Sequence, residues 1–229
     1  MAQVKEGDFV LLDFTGRVAG GSVFETTLEP VAKKEGISAP RYGPALVVAG
    51  KGQIISGLDK ALVGCEAGVE KSLKIAKKDA YGERDPSLVR LLPLGSFKKQ
   101  GIVPHAGMEL ELDQGLHATV VGVDGGRVRV DLNPPLAGQD LEYSYKVTKI
   151  FSTADEKVKI VAEQLLGANA SVSSFANGVA RLGVGDKVAK ASQEFLQAKL
   201  RSIQLLLQYA PEVKKVVFEE EYALPKEGA

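Results

Sequence analysis

The sequence predicts an α+β protein built from short strands and few, short helices. Three observations predict it. Apolar and polar residues alternate with a period of two over residues 70–76, 108–117, 128–132 and 141–148. Glycine and proline clusters punctuate these runs at short intervals. At Ser152 the periodicity switches to that of a helix and stays mixed to the end.

Taken in order, Asp8 to Val18 read as a strand ending at the Gly20-Gly21 turn, and Val23 to Thr27 resume it. Glu29 to Gly36 form a short helix stopped by Gly36, and a loop follows through Pro40, Gly43 and Pro44. Leu46 to Val48 make a short strand. Gly57 to Val63 place Leu58, Ala61 and Leu62 on one side of a second short helix, closed by Gly64. In Glu70 to Ala76, Leu73 and Ile75 alternate with Ser72 and Lys74, the pattern of a half-buried strand.

The texture changes at Leu88. Met108 to His117 alternate around a turn at Asp113-Gln114-Gly115. Thr119 to Val123 lead into Asp124-Gly125-Gly126, a hairpin signal, and Val128, Val130 and Leu132 alternate with charged residues beyond it. Pro134-Pro135 close this β-rich insert, and Leu141, Tyr143, Tyr145 and Val147 share one face of a further strand. In the tail, Thr153 and Glu156 form a capping box. Val158, Val161, Ala162 and Leu165 make a helical stripe ended by Gly167. A hairpin over Ser173 to Val188, a helix from Ser192 to Tyr209 with Leu196, Leu200, Ile203 and Leu207 in register, and a strand from Val213 to Tyr222 complete an α, β, β, α, β order. The expected domains are residues 1–87 with 137–151, an insert of residues 88–136, and a separate unit of residues 152–229.

Composition excludes several chemistries. Lys plus Arg equal Asp plus Glu at 29 each, so no net field favours nucleic acid or anionic lipid. The start carries charge at once, and no apolar run approaches the ~18 residues of a membrane span. A cytoplasmic protein is therefore expected. Cys65 is the sole cysteine, and the two histidines, His105 and His117, both fall in the insert. Imidazole-assisted nucleophiles and zinc sites need converging ligands that the chain does not offer, and no phosphate-binding glycine motif is present. An enzyme here works without covalent, metal or cofactor chemistry.

Five stretches carry more specific information. They are Gly7 to Gly16 (Gly-Asp-Phe-Val-Leu-Leu-Asp-Phe-Thr-Gly), Val23 to Thr27, Ile54 to Leu62, Asp79 to Gly82, and Leu136 to Gln139 with the strand to Ile150. In this order and spacing they resemble the FKBP family of peptidyl-prolyl cis/trans isomerases, in an arrangement like its SlyD-like and archaeal long-chain branches. The resemblance spans residues 7–150 and does not reach residues 152–229. It implies a curved antiparallel sheet packed on a short helix, with a proline pocket between them. Carried over by position, that pocket comprises Phe14, Phe24, Glu25, Ile54, Ile55, Leu58, Tyr81 and Tyr143. Leu58 would form its floor, where many relatives have Trp. The Ile55 N–H and the Tyr81 hydroxyl would donate to substrate carbonyls. Taken singly, these apolar side chains read as ordinary sheet core; their order along the chain makes them a site.

Two positions depart from the family pattern. Most relatives have Asp where Glu25 stands, and the extra methylene carries the carboxylate about 1.5 Å further. Many have Tyr where Phe14 stands, which removes a hydroxyl partner for that carboxylate. The implied substrates are X–Pro bonds of unfolded or partly folded polypeptides, and no cofactor is implied. The resemblance gives the insert a chaperone role, with Leu91-Leu92-Pro93, Phe97, Met108 and Gly122 among its matching features. It gives the tail a homodimer interface; a core wrapped by its own hairpin is the other reading. The rivals to an isomerase are a non-enzymatic holdase and a dimeric scaffold, each with a vestigial pocket.

Overall fold

In a computed structural model of the chain, residues 2–39, 42–112, 115–167, 170–184 and 193–220 are described. They form two compact units, one of residues 1–73 with 142–229, the other of residues 74–141.

The first unit opens with β1 (Phe9–Val18) and β2 (Val23–Thr26), joined through Gly20 at φ +69°. Helix α1 (Glu29–Glu35) carries Pro30 in its first turn and ends on Gly36, whose left-handed φ of 71° lets its N–H return to the Ala32 carbonyl. Then come β3 (Ala45–Val48), α2 (Ser56–Leu62) and β4 (Glu70–Ile75). Far along the chain, β9 (Leu141–Phe151) enters the same sheet, whose order is β2-β1-β9-β4 with β3 also on β1. β1 runs antiparallel to both β2 and β3.

β1 is buried on both faces of its first half. Val10 and Leu12 alternate with Phe9 and Leu11, and all but half-buried Leu11 are fully covered. The Phe9 side packs into one apolar cluster with Val48, Phe151 and the residues that follow position 152. Those residues begin with α4 (Ala154–Val161), whose N-terminus is the expected capping box: Glu156 N–H donates to Thr153 Oγ at 3.3 Å, and Thr153 N–H to Glu156 Oε2 at 3.0 Å. The helix widens into a π turn over residues 162–166 and stops at Gly167, φ 59°. β10 (Ala170–Ala176) and β11 (Val179–Val184) form a hairpin whose Asn177-Gly178 turn has positive φ at both residues. Helix α5 (Gln193–Tyr209) crosses to β12 (Lys215–Glu220), which lies parallel to β11.

The expected α, β, β, α, β order of the tail is therefore the observed one, while Ser192, Tyr222 and residues 185–188 lie outside the described residues. The boundary expected at residue 152 is crossed by a shared core. Val158, Val161, Leu205 and Leu206 pack in one cluster with Phe9 and Val48, and the Lys157 ammonium lies 5.4 Å from the Phe9 ring centroid. Of the α5 stripe expected from its register, Ile203 is half-buried and the three leucines face outward. Leu196, Leu200 and Leu207 are 57%, 53% and 47% exposed, and Leu205 and Leu206 take the core.

The second unit holds a four-stranded antiparallel sheet of order β5-β8-β7-β6. Its strands are β5 (Val89–Pro93), β6 (Glu109–Leu112), β7 (Leu116–Asp124) and β8 (Arg127–Asp131). A short helix that the periodicity did not announce, α3 (Leu94–Lys99), sends Phe97 into the core with Leu110, Ala118, Val120, Val128 and Val130. The β7–β8 turn uses Gly125 and Gly126, both at positive φ, as the hairpin signal required. His105 and His117 are exposed.

Candidate functional site

Four of the eight expected pocket residues meet on one side of the first unit's sheet. Tyr143, on β9 and 2% exposed, donates its hydroxyl to the Glu25 carboxylate. Its ring lies 6.0 Å from that of Phe14, tilted by 43°, and 6.0 Å from that of Phe24 in an edge-on arrangement at 79°. Glu25 thus keeps a phenolic partner, supplied by Tyr143, although position 14 is Phe.

The rings can lie this low because β1 carries Gly16. A Cβ there would come within 2.8 Å of Tyr143 Cζ and 2.9 Å of Phe24 Cζ. Gly16 pairs directly with Glu25 across the two strands, so the gap opens beside the carboxylate. A glycine inside a strand often marks such a close approach.

Hydroxyls at the end of β2 fix the position of Phe24 and Glu25. Thr15 and Thr26 share a buried hydrogen bond of 2.7 Å between their side-chain oxygens. Phe14 N–H donates to Thr27 Oγ1 at 2.9 Å, and Leu28 N–H to Thr26 Oγ1 at 3.1 Å. These bonds replace a regular ladder where the chain leaves the sheet for α1.

Ile54 and Ile55 are half-buried, on the loop that enters α2, and Leu58 is buried at 1% exposure one turn in. Two side chains hold that loop. The Asp59 carboxylate, 6% exposed, accepts N–H bonds from Gly50 at 2.8 Å and Gly52 at 2.7 Å. Gln53 Oε1 accepts from Val48 N–H at 2.9 Å. Ile55 stands at the N-cap of α2, where N–H groups have no partner within the helix. On the same face of β9 as Tyr143, burial pushes the Tyr145 hydroxyl up from its ordinary pKa, reinforced by its contact with Cys65, so it stays protonated.

Tyr81 belongs to the second unit, follows a 3₁₀ turn at Lys77–Asp79, and is 39% exposed. The structure thus gathers Phe14, Phe24, Glu25 and Tyr143, and sets Ile54, Ile55 and Leu58 on one loop and helix. A separate groove of about 400 Å³ borders Phe14 and is lined by Asp13, Arg17, Leu28, Val31 and Lys146 among others; no other expected pocket residue lines it. Sequence reasoning missed Gly16, the threonines, Gln53 and Asp59. Only Gly16, a glycine inside a strand, offered a signal. Among the described residues, no group of three His, Cys, Asp or Glu is placed to hold a metal ion. No described helix is long and apolar enough to cross a membrane.

On this antiparallel sheet, Phe14, Phe24 and Tyr143 form a ring cluster beside the Glu25 carboxylate. Comparison with known proteins identifies the family. Residues 1–104 match the model of the FKBP-type peptidyl-prolyl cis-trans isomerases, and residues 90–136 match that of the FKBP26 IF domain. The chain is 35% identical over 149 residues to the short-type peptidyl-prolyl cis-trans isomerase of Methanocaldococcus jannaschii, covering 64% of this chain and 94% of that one. It is 33% identical over 123 residues to the FKBP-type peptidyl-prolyl cis-trans isomerase SlyD of Escherichia coli, covering 52% of this chain and 62% of SlyD's length. This chain belongs to the FKBP-type peptidyl-prolyl cis-trans isomerase family.

Proposed function

We propose that this chain rotates X–Pro bonds in unfolded or partly folded polypeptides, holding the proline ring among Phe14, Phe24, Leu58 and Tyr143. The observation that carries this reading is the convergence of three rings around a carboxylate held by Tyr143. In the proposed complex, the Ile55 N–H donates to a substrate carbonyl. The barrier to be lowered is the ~18–20 kcal/mol of amide resonance, and no bond breaks. The planar amide is more polar than the twisted one, so a dry, ring-lined cleft favours the twisted state. A thousandfold gain needs only about 4 kcal/mol of preferential binding.

The proposal extends to chaperoning by residues 88–136. Leu91, Val103, Leu116, Val121 and Val123 are all exposed there, 82% in the case of Val103, as a surface that captures extended apolar chain would require. A cytoplasmic setting is part of the reading, supported by the single, free, buried Cys65. Residues 152–229 would pair two copies. Leu196, Leu200, Ile203 and Leu207 recur at spacings of four, three and four along α5, the seam that a second identical helix can fill.

Proline-limited refolding of a test protein decides between an isomerase and a holdase with a vestigial pocket. Acceleration of the slow phase, lost in Ile55→Asp, supports the enzyme. Suppressed aggregation with an unchanged slow phase would leave only the holdase. Light scattering of Leu200→Glu tests the pairing, which predicts half the wild-type mass; a wild-type monomer refutes it.

A further inference from the structure

The face of the insert's sheet away from its own core carries a cleft of about 300 Å³, lined by Leu91, Gly122, Val123, Asp124, Arg127 and Arg129. Its construction follows from register. Leu91 on β5 stands opposite Arg129 on β8, which in turn stands opposite Gly122 on β7, so the three lie side by side across the sheet. A bulge between Val120 and Gly122 dents β7 at this point. Gly122 has no side chain to fill the dent, and the Arg129 guanidinium overhangs it, 3.7 Å from where a Cβ would sit. Leu91, 58% exposed, forms one wall.

The charge at the cleft is unbalanced. Arg127 and Arg129 lie on the same face, two residues apart on β8, with Asp124 as the one acidic neighbour in the lining. Among the described residues neither guanidinium enters an ion pair, although Asp131, two residues beyond Arg129, pairs with Arg84. A partner carboxylate therefore meets two donor forks at the edge of an apolar dent.

From this arrangement we infer that the insert selects client segments in which an aliphatic residue and an Asp or Glu lie two positions apart in extended chain. In a strand, residues i and i+2 point the same way about 7 Å apart, which matches the spacing of Arg127 and Arg129 along β8. The aliphatic side chain enters the dent beside Leu91, and the carboxylate takes guanidinium hydrogen bonds, often bidentate in such pairs. The inference rests on the proposed capture role and adds a charge preference to it. Clients so selected are recognised by chemistry that an all-apolar surface would ignore.

The test is fluorescence anisotropy of the full chain with two labelled ten-residue peptides that differ only in Glu or Gln two positions from a leucine. The Glu peptide should bind about five- to tenfold more tightly at low salt, with the margin shrinking below about twofold near 0.5 M salt. Arg127→Gln with Arg129→Gln should abolish the margin and leave the Gln peptide's affinity unchanged. Arg90→Gln, on the same sheet but in register with core-facing Val130, should keep it. Equal binding of the two peptides overturns the charge preference while capture stands. Binding of neither peptide overturns capture as well. Circular dichroism of each variant shows whether a lost margin reflects the cleft rather than the fold, and a margin that persists in the folded double variant refutes the assignment.

Discussion

Gly16→Ala is a one-carbon change at the point where the site is tightest. The added Cβ would fall 2.8 Å from Tyr143 Cζ and 2.9 Å from Phe24 Cζ, against a comfortable carbon separation of about 3.5–4.0 Å. One or both rings must retreat by about 1 Å. Overpacking of this kind costs about 1–3 kcal/mol, and Tm falls about 2–4 °C for each kcal/mol in a chain of this size. The retreat also pulls the Tyr143 hydroxyl from the Glu25 carboxylate. Since displacement of a positioning group by about 1 Å can cost up to a hundredfold in rate, kcat/KM toward a short X–Pro peptide should fall by about 10- to 100-fold. The assay is a protease-free peptide isomerisation measured beside thermal unfolding. A variant that keeps kcat/KM within twofold, with the Tyr143 resonances unshifted, would refute the claim that Gly16 makes room for the rings.

Tyr143→Phe and Glu25→Gln should each lower kcat/KM about three- to tenfold, and the double variant should do no worse than the more damaging single change. A coupling near 1 kcal/mol in that cycle would report their hydrogen bond. Asp59→Ala strands the Gly50 and Gly52 N–H groups, so stability should drop by about 2–3 kcal/mol in chemical denaturation, with KM rising more than kcat falls. The insert should lose stability in acid. Burial alone would raise the Asp131 pKa, but the Asn133 backbone and side-chain N–H groups and the Arg84 guanidinium outweigh it and hold the carboxyl below its ordinary value. Its contribution is complete above the ordinary aspartate value near 3.9 and disappears as pH falls through the lowered folded value. Asp131→Asn should flatten that part of a Tm-against-pH curve, and an unchanged curve would contradict the assignment.

Much of this was legible in the residues because local rules were obeyed. Alternation marked β4, β8 and β9, and the Thr153–Glu156 box and Gly36 marked helix ends that the structure keeps. The pocket's membership was legible only through motif order, since Glu25 and Tyr143 are 118 residues apart and no local pattern joins them. The core shared across residue 152 has its own signal in the residues. Phe9-Val10-Leu11-Leu12 is a continuous apolar run, which a strand covered on both faces produces and a half-exposed strand does not. In α5 the sequence offers two apolar stripes, and periodicity alone cannot say which one the core takes. The structure buries Leu205 and Leu206 and turns the leucines of the longer stripe outward. The hydroxyl and carboxylate supports at Thr26, Thr27 and Asp59 were silent because such residues are ordinary in turns.

The most direct measurement is NMR exchange spectroscopy of a short X–Pro peptide with the full chain. Uncatalysed, the two isomers interchange over tens to hundreds of seconds. Catalysis predicts cis–trans exchange peaks at substoichiometric protein, together with contacts from the proline ring to the rings of Phe14, Phe24 and Tyr143. Exchange that stays at the uncatalysed rate, or proline contacts confined to the insert, would contradict the account.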